Sequence, residues 1–171
     1  MFHRQHTLSA KDIARWTTIG PAAGDFGAQE CADTLERSPF LARLRFADRR
    51  ALGAVGVLRS YPAGAVLVEE GQRPGVGLYI ILRGSVRIIQ HSASDGVRPL
   101  AVMGPGEMFG ELALLDEQPR TATVTAMAPT LVFIIPIADF RAVLQRNPEA
   151  AASLLAQISH RIRAAEASRC C

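Results

Sequence analysis

Lysine is all but missing from this chain of 171 residues: Lys11 is the only one, and arginine supplies nearly all of the basic charge. At a net charge of +3 the skew reads as compositional bias rather than as affinity for nucleic acid. Cysteine is scarce too. Cys31, Cys170 and Cys171 are odd in number and two are adjacent, which excludes a disulfide framework and any zinc-ligand spacing and points to a reducing, cytoplasmic setting. The adjacent pair reads either as part of a loose tail or as a reactive or lipidated thiol site. No apolar run approaches the length of a membrane span, so no membrane partner is expected. Residues 1–10 carry His3, Arg4 and His6 around no apolar core and do not read as a secretory signal. Catalytic sets are missing as well. Apart from Asp116-Glu117, the only adjacent carboxylates are Glu69-Glu70, which look like a solvated turn, and neither His91 nor His160 belongs to a nucleophile constellation. No enzyme is expected.

What is present suits one globular domain with extensions. At 49% hydrophobic and 20% charged residues the chain can bury a core without disulfides. Residues 1–37 form a partly helical N-terminal extension. Ser9 would cap a helix over 10–17 with Ile13 and Trp16 on one face, the Gly20–Gly24 stretch breaks it, and a second weak helix is expected over 27–36. The arm either docks on the domain or a partner, or is a partly ordered extension. Residues 38–136 form the main domain. Ser38 and Pro39 read as the cap and first turn of a helix, followed by a helix over 47–57 with Leu52 and Val55 on one face. Arg43, Arg45, Arg49 and Arg50 lie here without interleaved aromatics, as on a solvated helix face.

From Leu58 the pattern shortens. Two strands flank Pro62-Ala63-Gly64, and others fall at 78–82, 86–90, 99–103, 121–126 and 131–135, each gap holding turn residues. About eight short strands at roughly ten-residue spacing predict an α+β fold. Its body is an antiparallel β jelly-roll or barrel flanked by N-terminal and C-terminal helices. Residues 137–171 supply the C-terminal helices and a short tail. One helix covers 137–145 with Ile137, Phe140, Val143 and Leu144 inward, Asn147-Pro148 breaks it, and a last helix runs from Glu149 to about Ala167. Its Leu155, Ile158, Ile162 and Ala165 form a seam of about two heptads, which either packs on the barrel or makes a homodimer.

The most informative stretch runs from Phe109 to Val124. Gly104-Pro105-Gly106 before it is turn chemistry, and Gly110 permits close backbone approach. Residues 111–115 suit a single helical turn, Pro119 stops it, and Thr121, Thr123 and Thr125 alternate with Ala122, Val124 and Ala126 as in a strand. A helix N-terminus suits an anion. Arg120 follows Glu111 by nine positions, so the loop can fold its guanidinium back over that terminus to clamp a phosphate. Glu111 suits a hydroxyl such as a ribose 2′-OH. An anion site beside a hydroxyl acceptor describes a nucleotide with a compact, singly charged phosphate. A bare Glu111–Arg120 ion pair in a loop is the alternative.

Phe-Gly-Glu-Leu-Ala-Leu at 109–114, a four-residue gap and Pro-Arg-Thr-Ala-Thr-Val at 119–124 closely resemble the phosphate-binding cassette of cyclic-nucleotide-binding domains. These are the sensor modules of catabolite-activator and protein-kinase regulatory-subunit type. Tyr-Ile-Ile-Leu-Arg-Gly at 79–84 also looks like the family pattern, and the resemblance covers about residues 38–165. It implies that Glu111 takes the ribose 2′-OH and Arg120 the cyclic phosphate. Backbone N–H groups near Gly110, Leu112 and Ala113 would complete the cradle, and Phe109, Thr121 and Ala122 the ligand-binding set. It also implies that the helix after the barrel caps the base, with Ile158, Ile162 and Arg163 as candidate contacts.

The resemblance further implies a cyclic AMP or cyclic GMP sensor, with no other cofactor, that regulates a protein partner in trans. Relatives that regulate transcription carry a helix-turn-helix after this helix, whereas the sequence stops at Cys171, so no DNA binding is expected. The alternative is a degenerate or truncated domain of a catabolite-activator-type regulator that has lost nucleotide or DNA binding. In members that favour cyclic GMP, a threonine at the place of Thr121 can hydrogen-bond the guanine amino group. A plain strand threonine is the competing explanation. Cyclic AMP is expected to bind, and cyclic GMP comparably or better.

Overall fold

Among the described residues, eight antiparallel strands form two four-stranded sheets, with helices stacked on one of them. The computed structural model describes residues 34–72, 77–92, 96–112 and 118–167. Expectations about the arm before Thr34, the three cysteines, Trp16, Ala113 and the rest of the short helix over 111–115 lie outside the described residues.

The strands are β1 (Val57–Tyr61), β2 (Val66–Val68), β3 (Gly77–Arg83), β4 (Val86–Ser92), β5 (Gly96–Met103), β6 (Met108–Phe109), β7 (Thr123–Ala126) and β8 (Thr130–Pro136). The first sheet has the order β1-β8-β3-β6 and the second β2-β7-β4-β5. The strands on either side of Pro62-Ala63-Gly64 therefore do not pair with each other. The chain crosses there from one sheet to the other, as in a jelly roll. The helices are α1 (Phe46–Val55), α2 (Ile137–Arg146) and α3 (Pro148–Ala167), after a 3₁₀ turn at Leu41–Arg43. Among the described residues no helix is long and apolar enough to cross a membrane.

The first sheet is buried on both faces, which explains the unbroken apolar runs of β3 and β8. Ile80, Leu82, Phe133 and Ile135 point to one core, shared with Leu52, Phe140, Val143 and Leu154 of the helices. Tyr79, Ile81, Val132 and Ile134 point the other way and meet Val86, Phe109 and Val124 from the second sheet and β6. Alternate residues of one strand thus serve two cores. The second sheet has only one covered face, and β4 shows it: Val86 is buried and Arg87 exposed.

Three local expectations need correction. Ser38 does not cap a helix with its side chain. Residues 34–37 are already helical, the Ser38 N–H donates to the Leu35 carbonyl at 3.2 Å, and the buried Ser38 hydroxyl has no partner among the described residues. Helix α1 ends at Val55, which is half-exposed, rather than at Val57. Gly56 ends it because the backbone there runs against the Phe133 ring, and any Cβ would overlap that ring. Helix α3 buries Ala150, Leu154 and Ile158, so of the seam expected either to pack on the barrel or to make a homodimer only Ile158 is buried, while Leu155 is 54% and Ile162 51% exposed; the side chain of Ala165 lies outside the described residues.

The phase of α3 is set where it begins. Asn147 Nδ2 donates to the Val143 carbonyl at 2.8 Å and to Asp48 Oδ2 at 2.9 Å. Asp48 is buried on α1 and also accepts from Arg45 Nε at 3.0 Å and Arg146 Nη2 at 3.4 Å. One carboxylate therefore ties α1 to the α2–α3 corner. Burial pushes the Asp48 carboxyl up, but bonds from Asn147 and Arg45 and the charges of Arg45 and Arg146 outweigh it and hold it below its ordinary value. With the folded value depressed, Asp48 stabilises the fold above the ordinary aspartate range, and that contribution is lost as pH falls through the depressed value. Asp48→Ala should cost about 2–3 kcal/mol at neutral pH, read from urea midpoints. The gap between wild type and variant should narrow below about pH 4, the unfolded aspartate value.

Candidate functional site

Arg120 is the centre of the site. It follows a proline, and its backbone is held from both sides by the turn after β2: its N–H donates to the Gln72 carbonyl and its carbonyl accepts from the Gly71 N–H, both at 2.9 Å. Glu70 in that turn donates its N–H to Thr123 Oγ1 at 3.0 Å and accepts the His91 N–H at 2.7 Å. That bond is the main cause that holds the Glu70 carboxyl below its ordinary value; some desolvation opposes it, and the His91 ring assists.

The Arg120 side chain turns inward and is 7% exposed. Nη1 donates to the Gly110 carbonyl and Nη2 to the Gly77 carbonyl, both at 3.2 Å. Its Cζ lies 5.9 Å from the centre of the Tyr79 ring. Among the described residues no carboxylate lies within ion-pair distance of it. Burial pulls its pKa below the ordinary arginine value, with Tyr79 and Glu111 opposing, yet a guanidinium stays charged. A buried permanent cation with neutral partners is an incomplete arrangement, and an anion would complete it.

Gly110 makes this packing feasible. Its φ is +87°, and a Cβ there would stand 2.8 Å from Arg120 Nη1. Any other residue would be strained and would displace the guanidinium.

Glu111 is buried at 6% exposure and does not pair with Arg120. Its Oε1 accepts from Arg161 Nη1 of α3 at 2.6 Å, and Arg161 Nη2 donates to the Met108 carbonyl at 2.8 Å. The loop pair between Glu111 and Arg120 that the sequence left open is therefore replaced by a pair between Glu111 and the last helix.

These groups line one cavity of about 330 Å³. Phe109, Gly110, Glu111, Leu112, Arg120, Thr121 and Ala122 all reach it, while Ala113 lies outside the described residues. The rest of the wall is largely aliphatic, with Val68, Ile88, Met103 and Val124 from the strands and Ile158 and Ile162 from α3. Of the candidate helix contacts, Ile158 and Ile162 line it and Arg163 does not; Arg163 is exposed. Arg161 was missed by sequence reasoning. It lies one helical step of three residues after Ile158, so helical periodicity alone placed it on the same face. Among the described residues no group of three or more metal-ligating side chains occurs. Arg120 and Glu111 among largely aliphatic lining residues suit a ligand with one anionic group and an apolar body.

Arg161→Ala would leave the buried Glu111 carboxylate without its charged partner and the end of α3 without its anchor. Because Arg161 is itself partly exposed, the cost should be about 1–2 kcal/mol, less than for a fully buried pair. Amide exchange over residues 158–167 should quicken relative to α2; unchanged protection there would show that the pair does not hold the helix.

The model of the family described as "Cyclic nucleotide-binding domain" matches residues 58–147. The chain is 36% identical over 108 residues to the cyclic AMP receptor protein of Thermus thermophilus, covering 63% of this chain and 50% of that protein. It is 36% identical over 92 residues to a cAMP-dependent protein kinase regulatory subunit of Aspergillus fumigatus, covering 54% of this chain and 21% of that one. The crystal structure of Thermus thermophilus catabolite activator protein superposes with a TM-score of 0.66 at 33% identity, over 77% of this chain and 61% of that one. The chain thus spans half or less of the length of these two sequence relatives. With a buried arginine and a buried glutamate converging on one cavity of a jelly roll, and a family model matched over more than half of its length, the chain belongs to the cyclic-nucleotide-binding domain family.

Proposed function

We propose that the cavity binds a cyclic purine nucleotide, cyclic AMP or cyclic GMP, and that the chain is a regulatory sensor that acts on a protein partner rather than a catalyst. The observation that carries this is Arg120: a buried guanidinium at the cavity wall whose side-chain bonds go to the Gly77 and Gly110 carbonyls. Each terminal nitrogen keeps a second N–H, so two parallel bonds to one phosphate remain open to it. A cyclic phosphate carries a single charge, which matches a single guanidinium. Glu111 would take the ribose 2′-OH and the aliphatic wall the base. Names of relatives support the same ligand class: one is a cyclic AMP receptor protein, another a cAMP-dependent kinase regulatory subunit.

Helix α3 is the natural output element. It contributes Ile158, Arg161 and Ile162 to the cavity, so a bound ligand contacts strands and helix at once and biases how they dock. The competing function is a degenerate catabolite-activator-type domain whose pocket takes no nucleotide; Arg161 already occupies one oxygen of Glu111, which leaves the other for a ribose.

Calorimetric titration separates the two. Cyclic AMP and cyclic GMP should both bind the wild type. Arg120→Ala should weaken either by about 2–5 kcal/mol, which is roughly 30-fold to several thousand-fold. No heat from either ligand would establish the degenerate pocket. Thr121 lines the cavity and its side chain is exposed. If it donates or accepts a base-edge hydrogen bond, Thr121→Ala should change the ratio of the two affinities by about 3- to 10-fold against cyclic GMP. An unchanged ratio would mean that Thr121, which lies in the bend before β7, takes no part in base recognition.

A further inference from the structure

The Arg120 guanidinium is held by two hydrogen bonds that are both long, at 3.2 Å, and both to neutral carbonyls. A bidentate phosphate contact demands more than that, since the plane of the fork must be fixed as well as its position. The remaining restraint is aromatic. Tyr79 is 6% exposed, and the guanidinium carbon lies 5.9 Å from its ring centre, within range of cation–π attraction in a desolvated site. The Tyr79 ring is itself fixed. It stacks on Phe109 with centres 4.8 Å apart and planes 7° from parallel, and the two residues are direct partners across the β3–β6 ladder.

Among the described residues, the restraints on the guanidinium all come from that one ladder. Gly77 stands two residues before Tyr79 on β3, and Gly110 directly follows Phe109 at the end of β6. The ring, its backing ring and both carbonyl acceptors therefore move together. Tyr79 also closes the space: a Cβ on Gly110 would sit 3.4 Å from Tyr79 Cδ2. Burial pushes the Tyr79 hydroxyl pKa up, so the ring that faces the arginine is the neutral phenol and attracts through its π face.

Resting on the nucleotide-binding function proposed above, we propose that Tyr79 is a positioning residue for phosphate recognition, its Phe109-backed ring setting the plane in which Arg120 presents its free N–H groups. The ring matters and the hydroxyl does not.

The test compares cyclic AMP with adenosine, which has the same base and ribose and no phosphate, by calorimetry and competition. Tyr79→Phe should bind cyclic AMP within about twofold of wild type. Tyr79→Leu should weaken cyclic AMP by about 3- to 30-fold, the range of a cation–π contact, while the affinity for adenosine stays within about twofold. Equal losses for both ligands would mean that Tyr79 only supports the fold, and an unchanged cyclic AMP affinity would mean that it does nothing for Arg120. Either overturns the proposal. Should Tyr79→Leu fold poorly, fluorinated phenylalanines at position 79 keep the ring and its volume while draining its π face. Cyclic AMP affinity should fall stepwise with fluorination and adenosine affinity should not; a flat series overturns the proposal. Absence of cyclic AMP binding by the wild type would instead overturn the nucleotide function itself, and this inference with it.

Discussion

The structure around the cavity is built to keep one arginine charged, buried and straight. A guanidinium loses a large hydration energy on burial, and among the described residues Arg120 recovers it only through two carbonyls and an aromatic face. Every neighbouring choice serves that placement. Gly110 gives the room and Phe109 backs Tyr79. The turn at Glu70–Gln72 grips the Arg120 backbone on both sides. The first sheet can hold such a platform rigid because both of its faces are covered. Tyr79 and Ile81 pack toward the second sheet while Ile80 and Leu82 pack toward the helices, so displacing β3 would disturb two cores at once.

The helical layer is joined to this platform by contacts of different kinds. At the start of α3 the link is the buried Asp48 carboxylate, which gathers Asn147, Arg45 and Arg146. Midway it is apolar, through Leu154 and Ile158. Near the far end it is the Arg161–Glu111 pair at the cavity edge. The first link lies away from the cavity lining and the last two touch it. On the proposed function, a ligand would act on the second half of α3, where it touches the cavity, and the corner at Asn147 would serve as the pivot.

Much of this was legible in the sequence because it rests on local rules. Period-2 alternation gave β4 and β7, the apolar runs gave β3 and β8, and Asn147-Pro148 gave the corner. Phe109, Gly110, Glu111 and Arg120 were singled out because their spacing resembles the family's cassette, and the structure brings these four to one cavity. What escaped is tertiary in origin. The face that α3 buries depends on how Asn147 bonds Asp48, nearly a hundred residues earlier, and no heptad count contains that bond. Arg161 was passed over for Arg163 although it shares the face of Ile158; that it reaches Glu111 depends on how α3 docks, which local sequence does not contain. Ser38 carries the right residue type for a cap, but it follows helical residues 34–37, which overlap the end of the weak helix expected over 27–36, instead of opening a new helix.

The Glu111–Arg161 pair bears on how such a domain would signal. A carboxylate offers two oxygens and about four acceptor sites. Arg161 occupies Oε1 at 2.6 Å. A ribose hydroxyl needs one acceptor site, so Glu111 can hold the helix and the nucleotide together without exchanging one for the other. Shared use of this kind makes the two events cooperative: a ligand that orders Glu111 strengthens the anchor for α3, and a docked α3 holds Glu111 where the hydroxyl needs it. Linkage then requires that the gain be equal in both directions. On the proposed function, the affinity of the cavity for its nucleotide and the stability of the docked helix are two measures of the same coupling energy. A partner that pulled α3 away would release the ligand, with no contact of its own to the site.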